Sequence, residues 1–371
     1  MSKKQKLSHS SVRLYTTCAR KYKLHYINRI RPRHTSGALL FGSALDKALN
    51  HLLETRNIQE TYAMFDKCFK FTDINGEVTY IPESDKVLYA ESDFDMDLIT
   101  EDDIIEYETL RAKVNIGGET AMSKEMAYFQ YQKATSGINS LSAAERKLYA
   151  LGNWLCLRRK GHFMIRDYNS KIMPKIKKVL AVQKKVSITN DTGDELAGFL
   201  DLAVEWADGK RYVLDNKTSS RRYEADEPLR SQQLILYYHL EKEELNLNGA
   251  GFIVLYKQLE KNKVKICSKC QFDGSGRSHK TCNNEVDGVR CKGEWKITIS
   301  PSVRMDVLLT EIPEAAENLV LETFDQANEA IKQEHFNPNL SACKQGSLVC
   351  DYFDYCWRGN KRDLVELGEK K

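Results

Sequence analysis

No apolar run in this chain approaches the ~20 residues that a membrane-spanning helix needs. The polar start Met-Ser-Lys-Lys-Gln-Lys has no signal-peptide character either. Both absences point to a soluble, intracellular, cytoplasmic protein of cellular, viral or mobile-element origin. Internal repeats and low-complexity tracts are lacking, which argues against a repeat architecture. There is no Gly-x-x-x-x-Gly-Lys-Ser/Thr loop, so any coupling to ATP would require a partner. A strong excess of one charge is missing too: the formal net charge is +4, too mild to argue for nucleic acid by itself. Its distribution is uneven. Arg13–Arg33 and Arg158–Lys185 are basic, while Glu83–Glu108 is acidic. A basic face beside an acidic insertion suits a protein that guides DNA, although ordinary solvated surface accounts for it equally well.

What is present is a chain of 371 residues, 42% hydrophobic, long enough for one large domain with insertions or for two domains. It carries 10 cysteines. In a reducing compartment clustered thiols hold metal more often than disulfides.

The hydrophobic period divides the chain. Helices are expected over Ser8–Ile27 and Leu39–Leu53, the second with Leu45, Leu49, Leu52 and Leu53 at helical spacing. Thr72–Glu108 reads as an acidic, loop-rich insertion, and Glu119–Ile165 as helices broken near Gly137 and Gly161. From Lys178 the period becomes that of strands: Val179–Val186, Glu195–Trp206 and Lys210–Lys217, the last two joined at Asp208-Gly209 as a hairpin. A helix over Leu229–Leu245 precedes a strand at Ala250–Gln258. Strand-like Lys263–Ile266 and Trp295–Ile299 flank a polar, cysteine-rich island, and Val303–His335 reads as a long helix. This order predicts an α/β core with a mixed central sheet flanked by helices, a helical insertion and a zinc-ribbon-like insertion. The expected parts are an N-terminal helical part (1–60), an acidic and helical insertion (61–177), a catalytic core (178–262), a zinc-binding insertion (263–299) and a C-terminal segment (300–371).

Chemistry concentrates in two successive strands. Asp201 ends Gly-Phe-Leu-Asp, and Asp215 opens Asp-Asn-Lys-Thr-Ser. Side chains alternate along a strand, so Asp215 and Lys217 share a face. Two carboxylates able to hold a divalent cation, beside an ammonium group able to steady charge, are equipment for phosphodiester hydrolysis. Further on, Gln233 and Tyr237 stand one helical turn apart.

The set Gly198-Phe-Leu-Asp201, Asp215-Asn-Lys217-Thr-Ser and Gln233-Leu-Ile-Leu-Tyr237 resembles the RecB-like branch of the PD-(D/E)XK nuclease superfamily. Phe41-Gly42-Ser-Ala-Leu-Asp46 lines up with that family's Gly-x-x-x-His helix motif, with Asp46 where histidine is usual. The resemblance covers Leu7 to about Ile58 and Val179 to Cys356. It implies a restriction-endonuclease-like core in which Asp201 and Asp215, the Asn216 main-chain carbonyl and Asp46 would ligate Mg²⁺ or Mn²⁺. Lys217 would orient or activate the attacking water, and Gln233 and Tyr237 would position the metal site and substrate. For Asp46 the competing reading is an exposed helix acid.

The cysteines form two sets. Cys18 with Cys343, Cys350 and Cys356 resembles the four-cysteine staple of AddB-type nucleases and CRISPR adaptation exonucleases, which implies a 4Fe–4S cluster. The same ligands could hold zinc or stay as buried thiols. Cys267-Ser-Lys-Cys270 with Cys282 and Cys291 reads as a four-cysteine Zn²⁺ site, His279 being able to replace Cys282. Lys269, Arg277, Lys280 and Arg290 in this island could contact phosphate or serve only the structure. Cys68 and Cys156 stand alone. Tyr15, Tyr22 and Tyr26 could line a single-strand path or pack as a helix face.

The sequence therefore predicts a metal-dependent DNA exonuclease for recombination, repair or processing. Its substrate would be single-stranded DNA or duplex ends, with a helicase or recombination protein as a candidate partner. The alternatives are a catalytically degenerate DNA-binding protein and a structure-selective endonuclease.

Overall fold

A computed structural model of the chain describes residues 6–32, 37–69, 157–158, 160–189, 193–270, 272, 274, 280–286, 288–345 and 348–367. The expected insertion elements between Thr72 and Cys156 lie outside these residues, as do Arg277 and His279.

The strands are β1 (Lys6–Leu7), β2 (Ile30–Pro32), β3 (Ile176–Thr189), β4 (Glu195–Trp206), β5 (Arg211–Ser219), β6 (Gly249–Cys267), β7 (Glu285–Val286), β8 (Val289–Arg290) and β9 (Trp295–Thr310), followed by β10 (Lys344–Gln345), β11 (Leu348–Val349) and β12 (Leu364–Glu366). A six-stranded sheet runs in the order β1-β4-β5-β6-β9, with β3 also paired to β4. The ladders of β3–β4, β4–β5 and β6–β9 are antiparallel, whereas β1–β4 and β5–β6 are parallel. The sheet is mixed, as expected.

Helices cover both faces. They are α1 (His9–Thr17), α2 (Ala19–Tyr22), α3 (Gly37–Thr55), α4 (Ile58–Cys68), α5 (160–171), α6 (Gln232–Leu245), α7 (Glu314–Lys332) and α8 (Phe353–Arg358). Leu45, Leu49 and Leu52 of α3 join Phe65 of α4, Tyr168 of α5 and Leu202 and Leu214 of the sheet in one buried cluster. Each such fully buried leucine contributes roughly 1.5–3 kcal/mol of transfer free energy. The opposite face holds Leu234 and Leu236 of α6, Phe324 of α7 and Val12 of α1 against Leu200, Val213 and Val254. The site is positioned by these two layers.

Several elements differ from the sequence expectation. The helix expected over Ser8–Ile27 is interrupted at Cys18, whose backbone is extended (φ −163°), and it resumes as α2 and a π-helical turn over Lys23–Ile27. The two strands expected between Ala250 and Ile266 are one, β6, with a register irregularity between Leu255 and Leu259. The segment Val303–Thr310 is strand rather than helix: it completes β9 because β6 offers it a long antiparallel partner, and α7 begins only after Pro313. The break expected near Gly161 falls at the start of α5, beside residue 159, which lies outside the described residues. That glycine lies inside α5 with the Phe65 ring against it.

Candidate active site and cysteine centres

The β4–β5 hairpin turns at Asp208-Gly209, where Gly209 takes φ +85° and Lys210 N–H donates to Asp208 Oδ1 at 2.8 Å. Its ladder runs from Glu205↔Arg211 to Leu202↔Leu214. One further step would set Asp201 opposite Asp215. Like charges placed directly opposite destabilise a strand pair, and the ladder ends there. Asp201 and Asp215 then line one pocket of about 370 Å³ with Asp46, Asn216, Lys217 and Thr218. α3 brings Asp46 to that pocket from the side, so it is not an exposed helix acid.

Lys217 is ion-paired with Asp215, as strand alternation requires, and Asp215 is only 5% exposed. Burial works against the lysine's charge, yet Asp215 outweighs it and raises the Lys217 pKa. Three carboxylates share this one ammonium group. Burial, with the charge of Asp215 added, pushes Asp46 up to about 6, against a hydrogen bond from Asn50 Nδ2 at 3.2 Å. Asp201 is pushed up to about 7 by burial and then by Asp215 and Asp46. Burial likewise raises Asp215, with Lys217 opposing. Oxygen donors held this close and this poorly compensated fit a hard divalent cation, which would remove the mutual repulsion.

Two amides fix Asp201. Gln233 Nε2 of α6 donates to Oδ2 at 3.2 Å, and Gln183 Nε2 of β3 donates to Oδ1 at 3.1 Å. Gln183 was not singled out from the sequence. It lies between the β3 residues paired with Leu202 and Leu200, and takes a left-handed φ of +48°, unusual for a non-glycine residue. No sequence signal marks it, because its role comes from that local backbone. Tyr237 lies over Gly198: a Cβ there would sit 2.7 Å from the tyrosine ring. Burial and the neighbouring Asp201 push the Tyr237 hydroxyl up to about 12, so it stays protonated. The glycine of Gly-Phe-Leu-Asp thus exists to admit Tyr237.

The second centre is built differently. β6 and β9 run out of the sheet, Cys267 pairing with Trp295, and Cys270, Cys282 and Cys291 follow on short turns and the β7–β8 hairpin. The four sulfurs lie within 4.8 Å of one another, so this group can hold a metal ion. The Sγ–Sγ separations Cys267–Cys291 and Cys270–Cys282 are both 3.6 Å. Sulfurs arranged tetrahedrally at ~2.3 Å from zinc lie ~3.8 Å apart. Burial raises a thiol, but the amide N–H groups of Cys270 and Lys269 prevail and hold Cys267 down to about 6. Burial and the sulfurs of Cys270 and Cys267 push Cys282 up to about 12. Gly293 sits where a Cβ would stand 2.5 Å from Cys267 Sγ. Lys280 and Arg290 are exposed, as is Lys269.

Cys18, Cys343, Cys350 and Cys356 all line one cavity of about 190 Å³, together with Arg20 and Lys21. Segments 18–32 and 339–366 meet there: Asn339 N–H donates to Cys18 Sγ at 3.4 Å, β12 pairs with β2, and Tyr352 OH donates to the Ile30 carbonyl at 2.9 Å. Tyr15 and Tyr22 pack with Phe336, whereas Tyr26 is exposed and lies under Arg31. Cys68 packs beside Met64 at 3.7 Å.

Among the described residues no helix is long and apolar enough to cross a membrane. No curated protein matches the chain. The crystal structure of SSO0001 is similar over 61% of this chain and 85% of its own, at 11% identity and a TM-score of 0.23, too slight a likeness to carry inference. The family model of the PD-(D/E)XK nuclease superfamily matches residues 6–118 and 125–357. That match spans most of the sequence, and the mixed sheet between helices is consistent with the superfamily's restriction-endonuclease-like fold: the chain belongs to the PD-(D/E)XK nuclease superfamily.

Proposed function

We propose that the chain is a RecB-like, Mg²⁺- or Mn²⁺-dependent DNA exonuclease acting in recombination, repair or processing. The observation that carries this reading is the convergence of Asp46, Asp201, Asp215 and Lys217 on one pocket. Asp46, Asp201 and Asp215, with the Asn216 carbonyl, would hold the cation. When bound, it supplies a lowered water pKa and screening of phosphate charge. Gln183 and Gln233 keep Asp201 in one orientation. Lys217, held protonated by Asp215, orients the attacking water and offsets negative charge as the P–O bond to the leaving strand breaks. Asp46 standing among the other carboxylates supports a working site over a retired, binding-only one.

The four sulfurs around Cys267 would hold Zn²⁺, which gives a small polar module its stability. Cys18, Cys343, Cys350 and Cys356 would hold a 4Fe–4S cluster that staples those two segments together. Brown colour and visible absorbance, lost in Cys350→Ala, test that cluster; a colourless protein containing a second zinc would reject it.

The test of function compares wild type with Asp215→Ala and Lys217→Ala on end-labelled single- and double-stranded DNA with Mg²⁺ or Mn²⁺. Stepwise release from an end by wild type alone is expected. Equal cleavage by all three would remove this site from the chemistry, and internal nicking of circular DNA would favour an endonuclease.

A further inference from the structure

Lys217 lines a second pocket, of about 460 Å³, on its other side. Its walls include His9 and Arg13 of α1, Arg221, Glu227 and Gln233. Arg221 is ion-paired with Glu227, so that pair cancels. Arg13 has no acidic partner among the described residues and is exposed. His9 is 9% exposed, and no hydrogen bond to its imidazole is found among the described residues. Its ring nitrogens are not among the fully enclosed unpaired atoms, so they are accessible at the wall of this pocket, where a ligand can reach them. His9 stands at the first turn of α1, whose positive end favours an anion. Burial, Arg13 and Lys217 lower His9 to about 4, so the ring is neutral and keeps one N–H to donate.

We infer that this pocket binds a phosphate of the substrate strand next to the scissile one, with Arg13 and His9 as its donors and Lys217 facing both phosphates. The inference rests on the nuclease reading and deepens it: the strand would be threaded past α1, and its register on the carboxylates fixed by a charge rather than by a base. A contact of this kind positions the strand without reading sequence.

The experiment uses Arg13→Gln, an exposed position where the substitution leaves the fold intact, with unchanged thermal unfolding as the control. Single-stranded DNA binding is measured in the Asp215→Ala chain without added divalent cation, with and without Arg13→Gln. Arg13→Gln should weaken binding roughly tenfold and flatten the salt dependence by about one counterion. In the otherwise wild-type enzyme it should raise KM roughly tenfold with kcat nearly unchanged. His9→Gln, which retains a donor, should show a smaller rise in KM. A single uncharged methylphosphonate is then moved along the strand. At one position it should weaken wild type about as much as Arg13→Gln does, with no further loss in the variant. That position distinguishes a terminal phosphate from an internal one. Undiminished binding and KM in Arg13→Gln, or a methylphosphonate penalty that persists in the variant at every position, would overturn the inference alone. Absence of any DNA binding by the Asp215→Ala chain would overturn it together with the nuclease reading.

Discussion

The carboxylate site and the four-cysteine site solve opposite problems. Asp46, Asp201 and Asp215 project from α3, β4 and β5, elements fixed by two buried clusters, so the fold holds like charges together against their repulsion. Cys267 ends β6, while Cys270, Cys282 and Cys291 sit on turns and beside a two-residue-strand hairpin with exposed Val286 and Val289, where little apolar surface is buried. In the first region the core stabilises the donors. In the second the donors can hold a metal ion, and that metal would stabilise the loop. The lesson is that metal loss should affect the two regions differently.

The largest break in the comparison is Asp215→Ala, which should lower cleavage roughly 10³-fold or more. Thermal unfolding should change little, because the neighbouring Asp201 remains to offset the Lys217 charge once its ion pair with Asp215 is lost. Cys267→Ser should do the reverse: zinc content falls and amide exchange accelerates in 267–295, while the core strands stay protected. Gly198→Ala sharpens the role of the packed core. Its Cβ would meet Tyr237 at 2.7 Å, and overpacking of this kind costs about 1–3 kcal/mol. Denaturant unfolding should record that loss, and displacement of Tyr237 from beside Asp201 should cost activity roughly 10- to 100-fold.

A pH series tests the charge crowding itself. The Asp201 pKa is raised in the folded state, from 3.8 to about 7. The folded chain therefore binds this proton more tightly than the unfolded one, a stabilisation fully present below about pH 4 and lost as pH rises through about 7. Metal-free wild type should lose stability relative to Asp201→Asn across that window, and Mg²⁺ or Mn²⁺ should narrow the gap at neutral pH. The smallest effect is expected from Gln183→Gly, which removes one amide from Asp201 while relaxing the left-handed backbone. Activity should fall about three- to tenfold with stability held or slightly raised.

Much of the site was legible in the sequence. Asp201, Asp215 and Lys217 could be placed because strand alternation fixes their faces, and the apolar residues before each carboxylate mark half-buried strands. Gln233 and Tyr237 were legible from helical spacing. The cysteine sets were legible by residue type, although nothing in the spacing of Cys282 and Cys291 shows that the β7–β8 hairpin and the Thr281–Glu294 bridge bring them together. What was not legible depends on distant partners. The sequence Val303–Thr310 permits helix, and only β6 makes it strand. Gln183 matters through its position beside Asp201 and a φ of +48°, and Gly198 through a ring that arrives 39 residues later in the chain at Tyr237.

The central claim is that the core-held carboxylates, and not the cysteine loop, form the catalytic centre. Mn²⁺ binding measured by electron paramagnetic resonance, on the same wild-type and Asp215→Ala preparations used for DNA cleavage and zinc analysis, tests it most directly. Wild type should bind Mn²⁺ and cleave, while Asp215→Ala loses both and keeps its zinc. Mn²⁺ binding and cleavage that survive in Asp215→Ala would contradict the account.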